Sequence, residues 1–387
     1  MKINKAIKIR LYPTKYQQEI LNKTFGCCRL LWNQMLVERN KVYQRLKDNP
    51  ELLRNYKYKT EKDYKTLFEF MKEVDSKALQ STTRNIIDAF KNFFNGLKET
   101  RKVGYPRFKS KKNKQSYTTY NINNNIKINF KRKRIKLPKI KTWIKYRDDR
   151  VFNEPIRHVT VSKTKSGKYY VAILIEQKLD VYPLLQVHES RIESYDMSAS
   201  EFLVSEKEHY TNPRFYRNAE PKLRRLNRQL SRKKKGSQNR WKARLRLACY
   251  YEKIWNRKYD WVHKTTLDLS QRYDAVILED LNIQGMQQFN GGLSKSVTLD
   301  FSWHQFKTLL EYKLRWRGKH YQEVDRFFPS SKMCSVCGYK KENLTLKDRK
   351  WICPKCGTQH QRDENASVNL KMEGTRLLKE KGITVIT

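Results

Sequence analysis

The stretch from Cys334 to Asn369 constrains this chain more than any other. Two Cys-x-x-Cys pairs, Cys334/Cys337 and Cys353/Cys356, stand 15 residues apart. At that spacing each pair can clamp one side of a tetrahedral Zn²⁺. A glycine follows each pair, Gly338 and Gly357, and lets the backbone turn tightly around the ion. Four thiolates leave no open coordination position, so the spacing predicts one structural zinc rather than a catalytic one. Seven residues beyond Cys356 comes Asp363, so the knuckle hands the chain to a carboxylate at the start of a helix. Cys27, Cys28 and Cys249 fit no ligand pattern and read as small buried apolar residues. Cysteines spaced for metal suit a reducing compartment.

Charge narrows the partners. Lysine and arginine total 84 against 39 aspartate and glutamate, a formal net charge of +45. An excess of that size is self-repelling and calls for a large polyanion. The 23 tyrosines supply stacking faces and phosphate hydrogen bonds, which points to RNA or single-stranded DNA. An anionic membrane would suit the charge too. But MKINKAIKIR alternates rather than running apolar, and runs such as Val171–Ile175 are far too short to span a bilayer. No membrane partner is expected.

At 387 residues the chain should hold two to four domains. Lys2–Tyr12 alternates as a strand that Pro13 ends. Leu21, Phe25, Cys28 and Trp32 then recur at helical spacing. A second long helix is expected over Ser76–Lys102, with Leu79, Ile86, Phe90, Phe93 and Leu97 on its core face. Lys47–Lys65 between them reads as partly loop. Short strands dominate from Ser116 to Glu176, with a hairpin turn at Lys165–Gly167, and suggest a small β-barrel. Gln177–Glu193 reads as a linker. Ile192–Asp196 is strand-like, and Phe202–Ser205 would return from it. Gly236 and Ser237 break the basic helical region Glu220–Ser270 in two. Leu223, Leu226 and Leu230 mark the core side of its first helix, and Leu247, Tyr251, Ile254 and Trp261 that of the second. The run Arg232, Lys233, Lys234, Lys235 at the break is a phosphate-binding candidate. Ala275–Leu278 reads as a buried parallel strand, with Glu279 at its carboxyl end, where sites of open α/β sheets lie. Gln284–Lys295, with Gly291 and Gly292, reads as a mobile loop that could cover the site. A helix over about Asp300–Arg317 and a strand over about His320–Arg326 lead into the knuckle.

Three carboxylates thus stand at element ends: Asp196 and Glu279 after strands, Asp363 at a helix start. Their order, with a strand–hairpin–helix–strand path between them, fits an RNase H-like fold. Any one of them alone would read as an ordinary surface acid. Together they match what phosphodiester hydrolysis needs: hard oxygen ligands for two divalent metals roughly 3.5–4 Å apart.

The motifs around these acids, YDMS, ILEDLN and RDENASVNL, together with the zinc knuckle, resemble the TnpB family. These are RNA-guided nucleases encoded by bacterial transposons and similar to the compact type V CRISPR effectors. RLYPTKYQQEIL, FGCCRLLWN, DAFKNFF and GYPRFKSKK in the first half resemble the same family more loosely. The resemblance implies a multidomain α+β chain. A wedge β-barrel domain (1–14 and 104–178) would carry an inserted helical recognition lobe (15–103). A linker (179–190) would lead to a RuvC-like nuclease domain of RNase H-like α/β fold (191–329 and 361–387), with an inserted zinc ribbon (330–360).

The resemblance also implies the site. Asp196 would bridge two Mg²⁺ ions, Glu279 and Asp363 would each complete one coordination sphere, and Asp280 and Asn365 would support them from behind. His360 reads either as a phosphate or metal contact or as a solvated residue near the knuckle. Arg107 and Lys109 are further nucleic-acid-binding candidates. The first motif departs from the family pattern, because Ser194 and Ser198 stand where glycines are common.

The implied activity is RNA-guided DNA cleavage. Guide RNA and target double-stranded DNA would be the partners, and a short flanking DNA motif would be read by the protein. The implied location is the bacterial cytoplasm, on the nucleoid when DNA is bound. Three alternatives stay open: a type V CRISPR effector using a crRNA, a cleavage-silent RNA-guided regulator, and a transposase.

Overall fold

In a computed structural model, the alternating N-terminal residues form strand β1 (Lys2–Tyr12), with Ile7, Ile9 and Leu11 buried along one face. The structure describes residues 1–98, 103–112, 114–198, 201–288, 297–345 and 348–387. Of the loop expected over Gln284–Lys295, the part from 289 on lies outside them, and 284–288 are helical rather than loop. Two compact units emerge, Lys2–Lys178 and Leu179–Thr387 with Met1.

In the first unit Thr14 caps helix α1 (Lys15–Leu46) through a reciprocal capping box with Gln17. Short helices α2 (Pro50–Asn55) and α3 (Glu61–Leu67) lead to α4 (Ser76–Lys98). Leu21, Phe25, Cys28 and Trp32 are buried as expected, and so are Leu79, Ile86 and Phe90. Leu97 is not: it is 66% exposed, and Phe93 is only half-buried, because the last turn of α4 runs past the core. Strands β2 (Gln115–Tyr120), β3 (Lys127–Asn129), β4 (Arg134–Lys136), β5 (Ile144–Arg147), β6 (Ile156–Lys163) and β7 (Tyr169–Lys178) complete the unit.

Every ladder in this sheet is antiparallel, in the order β2-β6-β7-β1-β5-β4-β3. Among the described residues no ladder joins β2 to β3, so the expected barrel is a seven-stranded sheet with two edges. The β6–β7 hairpin turns at Gly167, whose φ of +82° is one that glycine adopts without strain. Helices and sheet share one apolar core, from Leu21 and Leu79 to Val171 and Ile173.

The second unit is built on three parallel strands in the order β13-β12-β9. They are β9 (Ile192–Tyr195), β12 (Ala275–Glu279) and β13 (His320–Val324). A small hairpin, β10 (Leu203–Val204) with β11 (His209–Tyr210), joins the β9 side through an antiparallel bridge between Asp196 and Val204. Side chains alternate across each strand. Tyr195, Val276 and Leu278 face a cluster that includes Val262 of α6 (Gln238–Arg272) and Phe306 and Leu310 of α8 (Trp303–Arg315). Ile192, Ala275, Ile277 and Val324 face Leu370 and Leu378 of α9 (Arg362–Glu380). Cover on both faces explains the unbroken apolar run at 275–278. At Gly374, α9 comes so close to β12 that an added Cβ would meet Ile277 side-chain atoms at 2.5–2.7 Å.

The expected break falls where predicted. Helix α5 (Phe215–Ser231) ends before Gly236 (φ +86°), and Ser237 caps α6. Helix α7 (Ile283–Gln288) follows β12. Tyr251, expected on the core side of α6, is 42% exposed, and Cys249 is exposed rather than buried. The stretch expected as a linker carries strand β8 (Gln186–His188), which pairs in parallel with β16 (Thr384–Ile386), far away in sequence.

Candidate active site

Strand alternation and register bring the acids together. Ile192, Ser194 and Asp196 share one face of β9 and its extension, and Ala275, Ile277 and Glu279 share the same face of β12. Leu278 pairs with Tyr195, so Glu279 falls beside Asp196 one step later, at the carboxyl ends of adjacent strands. Helix α9 covers that face, and Asp363 sits in its first turn. Asp196 is buried (9% exposed) and fixed by two 2.9 Å backbone bonds with Val204. Burial pushes its carboxyl up to about 7, with the charges of Asp363 and Glu279 adding to the rise and Arg362 and Arg349 opposing it. Burial also raises Glu279, while Lys307 pulls it down.

Asp363 is held on both oxygens. Arg349 Nη1 donates to Oδ2 at 3.0 Å, and Ser198 Oγ donates to the same oxygen at 3.0 Å. Arg362 reaches Oδ1 at 3.2 Å through Nε and pairs with it through Nη2. The sequence marks Ser198 only as a replacement for a common glycine and Arg362 only as part of its motif, and it gives no sign of Arg349. Arg349 arrives by strand pairing: β14 (Lys350–Ile352) runs antiparallel to β15 (Gln359–Gln361), and Arg362 N bonds Arg349 O at 2.8 Å. The signals available were the arginine next to Asp363 and the serine standing in place of a glycine two residues after Asp196.

The supporting residues divide. Asp280 turns to a charged cluster, paired with Arg326 and, at 3.6 Å, with Lys307. Asn365 ties α9 to the knuckle: its Oδ1 accepts from Ser335 N at 3.0 Å and its Nδ2 donates to Met333 O at 2.7 Å. Asn369, one turn on, donates to Met333 O and Ser330 O at 2.7 Å.

The four cysteines gather without any ion. Their Sγ atoms all lie within 4.8 Å of one another, and among the described residues no other group of three or more ligating side chains is so close. A tetrahedron with metal–sulfur bonds of about 2.3 Å has edges of about 3.8 Å. Cys334–Cys356 at 3.7 Å and Cys337–Cys353 at 3.5 Å fit it. Gly338 (φ +71°) and Gly357 (φ +74°) bond back to Cys334 O and Cys353 O at 2.9 Å, one turn for each pair. The set therefore fits a structural zinc. His360 is buried, not solvated: its Nε2 lies 3.0 Å from Cys334 Sγ and its ring packs on Trp351.

The basic candidates also differ. Arg232, Lys233, Lys234 and Lys235 form an exposed tip between α5 and α6. Arg107 is exposed, with its carbonyl accepting from Trp32 Nε1 at 3.0 Å. The Lys109 ammonium rests over the Trp32 ring, 3.5 Å from its centroid. Among the described residues no helix is long and apolar enough to cross a membrane.

Comparison with known proteins decides the family. Residues 193–290 match the family model "Probable transposase", residues 1–48 match "Helix-turn-helix domain", and residues 303–370 match "Cas12f1-like, TNB domain". A relative from Streptomyces pristinaespiralis, named "Putative RNA-guided DNA endonuclease", is 32% identical over 96% of this chain and 90% of its own. This chain belongs to the TnpB family. A second TnpB-like relative, "Putative RNA-guided DNA endonuclease InsQ" of Escherichia coli (strain K12), is 26% identical over 98% of this chain and 94% of its own. A chain from a solved Cas12f1–sgRNA–target DNA complex matches with a TM-score of 0.53 at 12% identity, over 96% of this chain and 99% of that one. At that identity the likeness concerns the fold, a mixed α/β architecture shared with compact Cas12 effectors.

Proposed function

We propose that this TnpB-family protein is an RNA-guided DNA endonuclease whose hydrolytic site is Asp196, Glu279 and Asp363. The observation that carries the reading is their convergence on one covered face of a parallel sheet. The strand order, the antiparallel hairpin beside Asp196 and the covering helix α9 support an RNase H-like, RuvC-type assignment for 191–329 and 361–387, with 330–360 as its zinc ribbon. The sheet of the first unit (1–14 and 104–178) serves as the wedge, 15–103 as the recognition lobe, and 179–190 as the connection between wedge and nuclease.

The donor set fits Mg²⁺. Its ligating atoms are hard carboxylate oxygens. Burial raises Asp196, the charges of Asp363 and Glu279 add to the rise, and a divalent cation would relieve that imbalance. Asp196, Glu279 and Asp363 would hold the ions. Bound there, divalent cations activate water and stabilise the leaving oxygen of the phosphodiester. Asp196 serves in its ionised form, fixed by the Val204 bridge. Arg349 and Arg362 pair with Asp363 and balance its charge. Cys334, Cys337, Cys353 and Cys356 would hold zinc and anchor the amino end of α9 through Asn365. The basic tip at 232–235 and the Arg107 loop offer phosphate contacts to guide RNA and target DNA, while guide pairing supplies sequence selection.

The test is to purify the protein from cells carrying its native locus and sequence the bound RNA. A single structured RNA with a variable end is expected. Asp196→Ala should bind the same RNA and lose Mg²⁺-dependent cleavage. Retained cleavage would overturn the site assignment. An RNA copied from a repeat array rather than a transposon end would indicate a CRISPR effector.

A further inference from the structure

Two buried hydroxyls bracket the first carboxylate. Ser194 stands two residues before Asp196 and Ser198 two residues after it, at 1% and 5% exposure. Both reach α9. Ser194 Oγ donates to Ser367 O at 2.6 Å, and Ser198 Oγ donates to Asp363 Oδ2 at 3.0 Å. Ser367 and Asp363 lie four residues apart, one helical turn, so they share a face of α9. The two bonds therefore pin one turn of α9 across the end of β9, with Asp196 between them. The tie is built from short side chains with one torsion each, so little entropy is lost in keeping it.

Asp363 has three partners, and they are not equivalent. Arg349 and Arg362 are cations, so a divalent ion competes with them for the carboxylate charge. Arg349 is also long and 51% exposed at its side chain, so it can swing out. Ser198 is neutral, buried and only two residues from Asp196 along the chain, just past the end of β9. A hydroxyl donor leaves the carboxylate its negative charge and occupies only one lone pair of Oδ2.

We propose that Ser198 is a positioning residue, whose hydroxyl holds the Asp363 carboxylate in register with Asp196 when the arginines release it. This rests on the reading of the three acids as the cation site. A partner of a metal ligand is commonly worth about ten-fold or more in metal affinity. The effect of losing Ser198 should therefore fall on cation binding rather than on folding.

The experiment is a Mn²⁺ titration of the protein as isolated with its RNA, followed by electron paramagnetic resonance of free Mn²⁺. The component missing in Asp196→Ala reports the acidic site and removes the contribution of RNA. Ser198→Ala and Ser198→Gly should both raise the Mn²⁺ concentration for half-occupancy of that component by about ten-fold, with the melting temperature close to wild type. Cleavage at saturating Mn²⁺ should recover most of its rate. An unchanged Mn²⁺ midpoint in either folded variant overturns the proposal, even if the melting temperature falls. A wild-type titration with no Asp196-dependent component overturns the reading of the acids, and the proposal with it.

Discussion

The cysteine knuckle and the candidate acidic site of the second unit are built on opposite plans. The four thiols of the knuckle all fall within 4.8 Å of one another, set by two matching turns and a short hairpin. The three carboxylates come from two strands and a helix, repel one another and lean on arginines. A closed site made of local turns can be assembled by its own backbone. An open site made of like charges cannot, and depends on every long-range contact that places its elements. Asn365 is the hinge between the two plans, because it joins the knuckle backbone to the helix that carries Asp363.

The comparison can be broken most strongly at the knuckle. Cys353→Ser should drop zinc content from one per chain to near zero, since structural zinc contributes on the order of 10 kcal/mol to small sites. The 330–360 segment should become protease-sensitive, and cleavage should fail while RNA stays bound. Metal analysis and limited proteolysis check this. Gly374→Ala breaks the other side. It drives a methyl group into Ile277 and should cost about 1–3 kcal/mol in a thermal melt. Because α9 carries Asp363, cleavage should fall at temperatures where the variant is folded, with zinc retained.

Asn365→Ala sharpens the link. Losing two bonds to the knuckle backbone should cost about 1–3 kcal/mol, with zinc content unchanged and cleavage reduced several-fold. If its cleavage equals wild type, the knuckle is not what places the acids.

The smallest effect lies on the far face of the sheet. Burial holds the Lys313 ammonium down at about 8 from the usual 10.5, although His263 O (2.6 Å) and Thr266 Oγ1 (2.8 Å) accept its hydrogen bonds. The folded state thus binds this proton more weakly than the unfolded chain does. The penalty is full below about pH 8 and fades as pH rises towards 10.5. Wild-type stability relative to Lys313→Met should therefore rise with pH across that window. Parallel curves would contradict the burial argument.

Much of this was legible in the residues. Strand β1 has the bounds expected from its alternation, the cysteine spacing marks the knuckle, and the run at 275–278 marks a strand buried on both faces. These are local signals, carried by periodicity and spacing. What was not legible depends on partners distant in sequence. Ser198 meets Asp363, Arg349 reaches Asp363 through a hairpin, and β8 pairs with β16 inside a stretch that reads as linker. Tyr251, Leu97 and Cys249 failed for a related reason. Helical periodicity finds an apolar face but does not say how far along the helix a neighbour covers it. Of the two readings of His360, the solvated one falls, because a polar residue beside a metal knuckle looks solvated until Trp351 is seen packed on it.

The central claim is best tested by reprogramming. The RNA that travels with the protein would be given a variable end matching a chosen plasmid sequence, and cleavage measured with Mg²⁺ for wild type and Asp196→Ala. The account predicts double-strand cleavage that moves with the guide and is lost in Asp196→Ala with RNA binding intact. Cleavage that ignores the guide, or that survives Asp196→Ala, would contradict it.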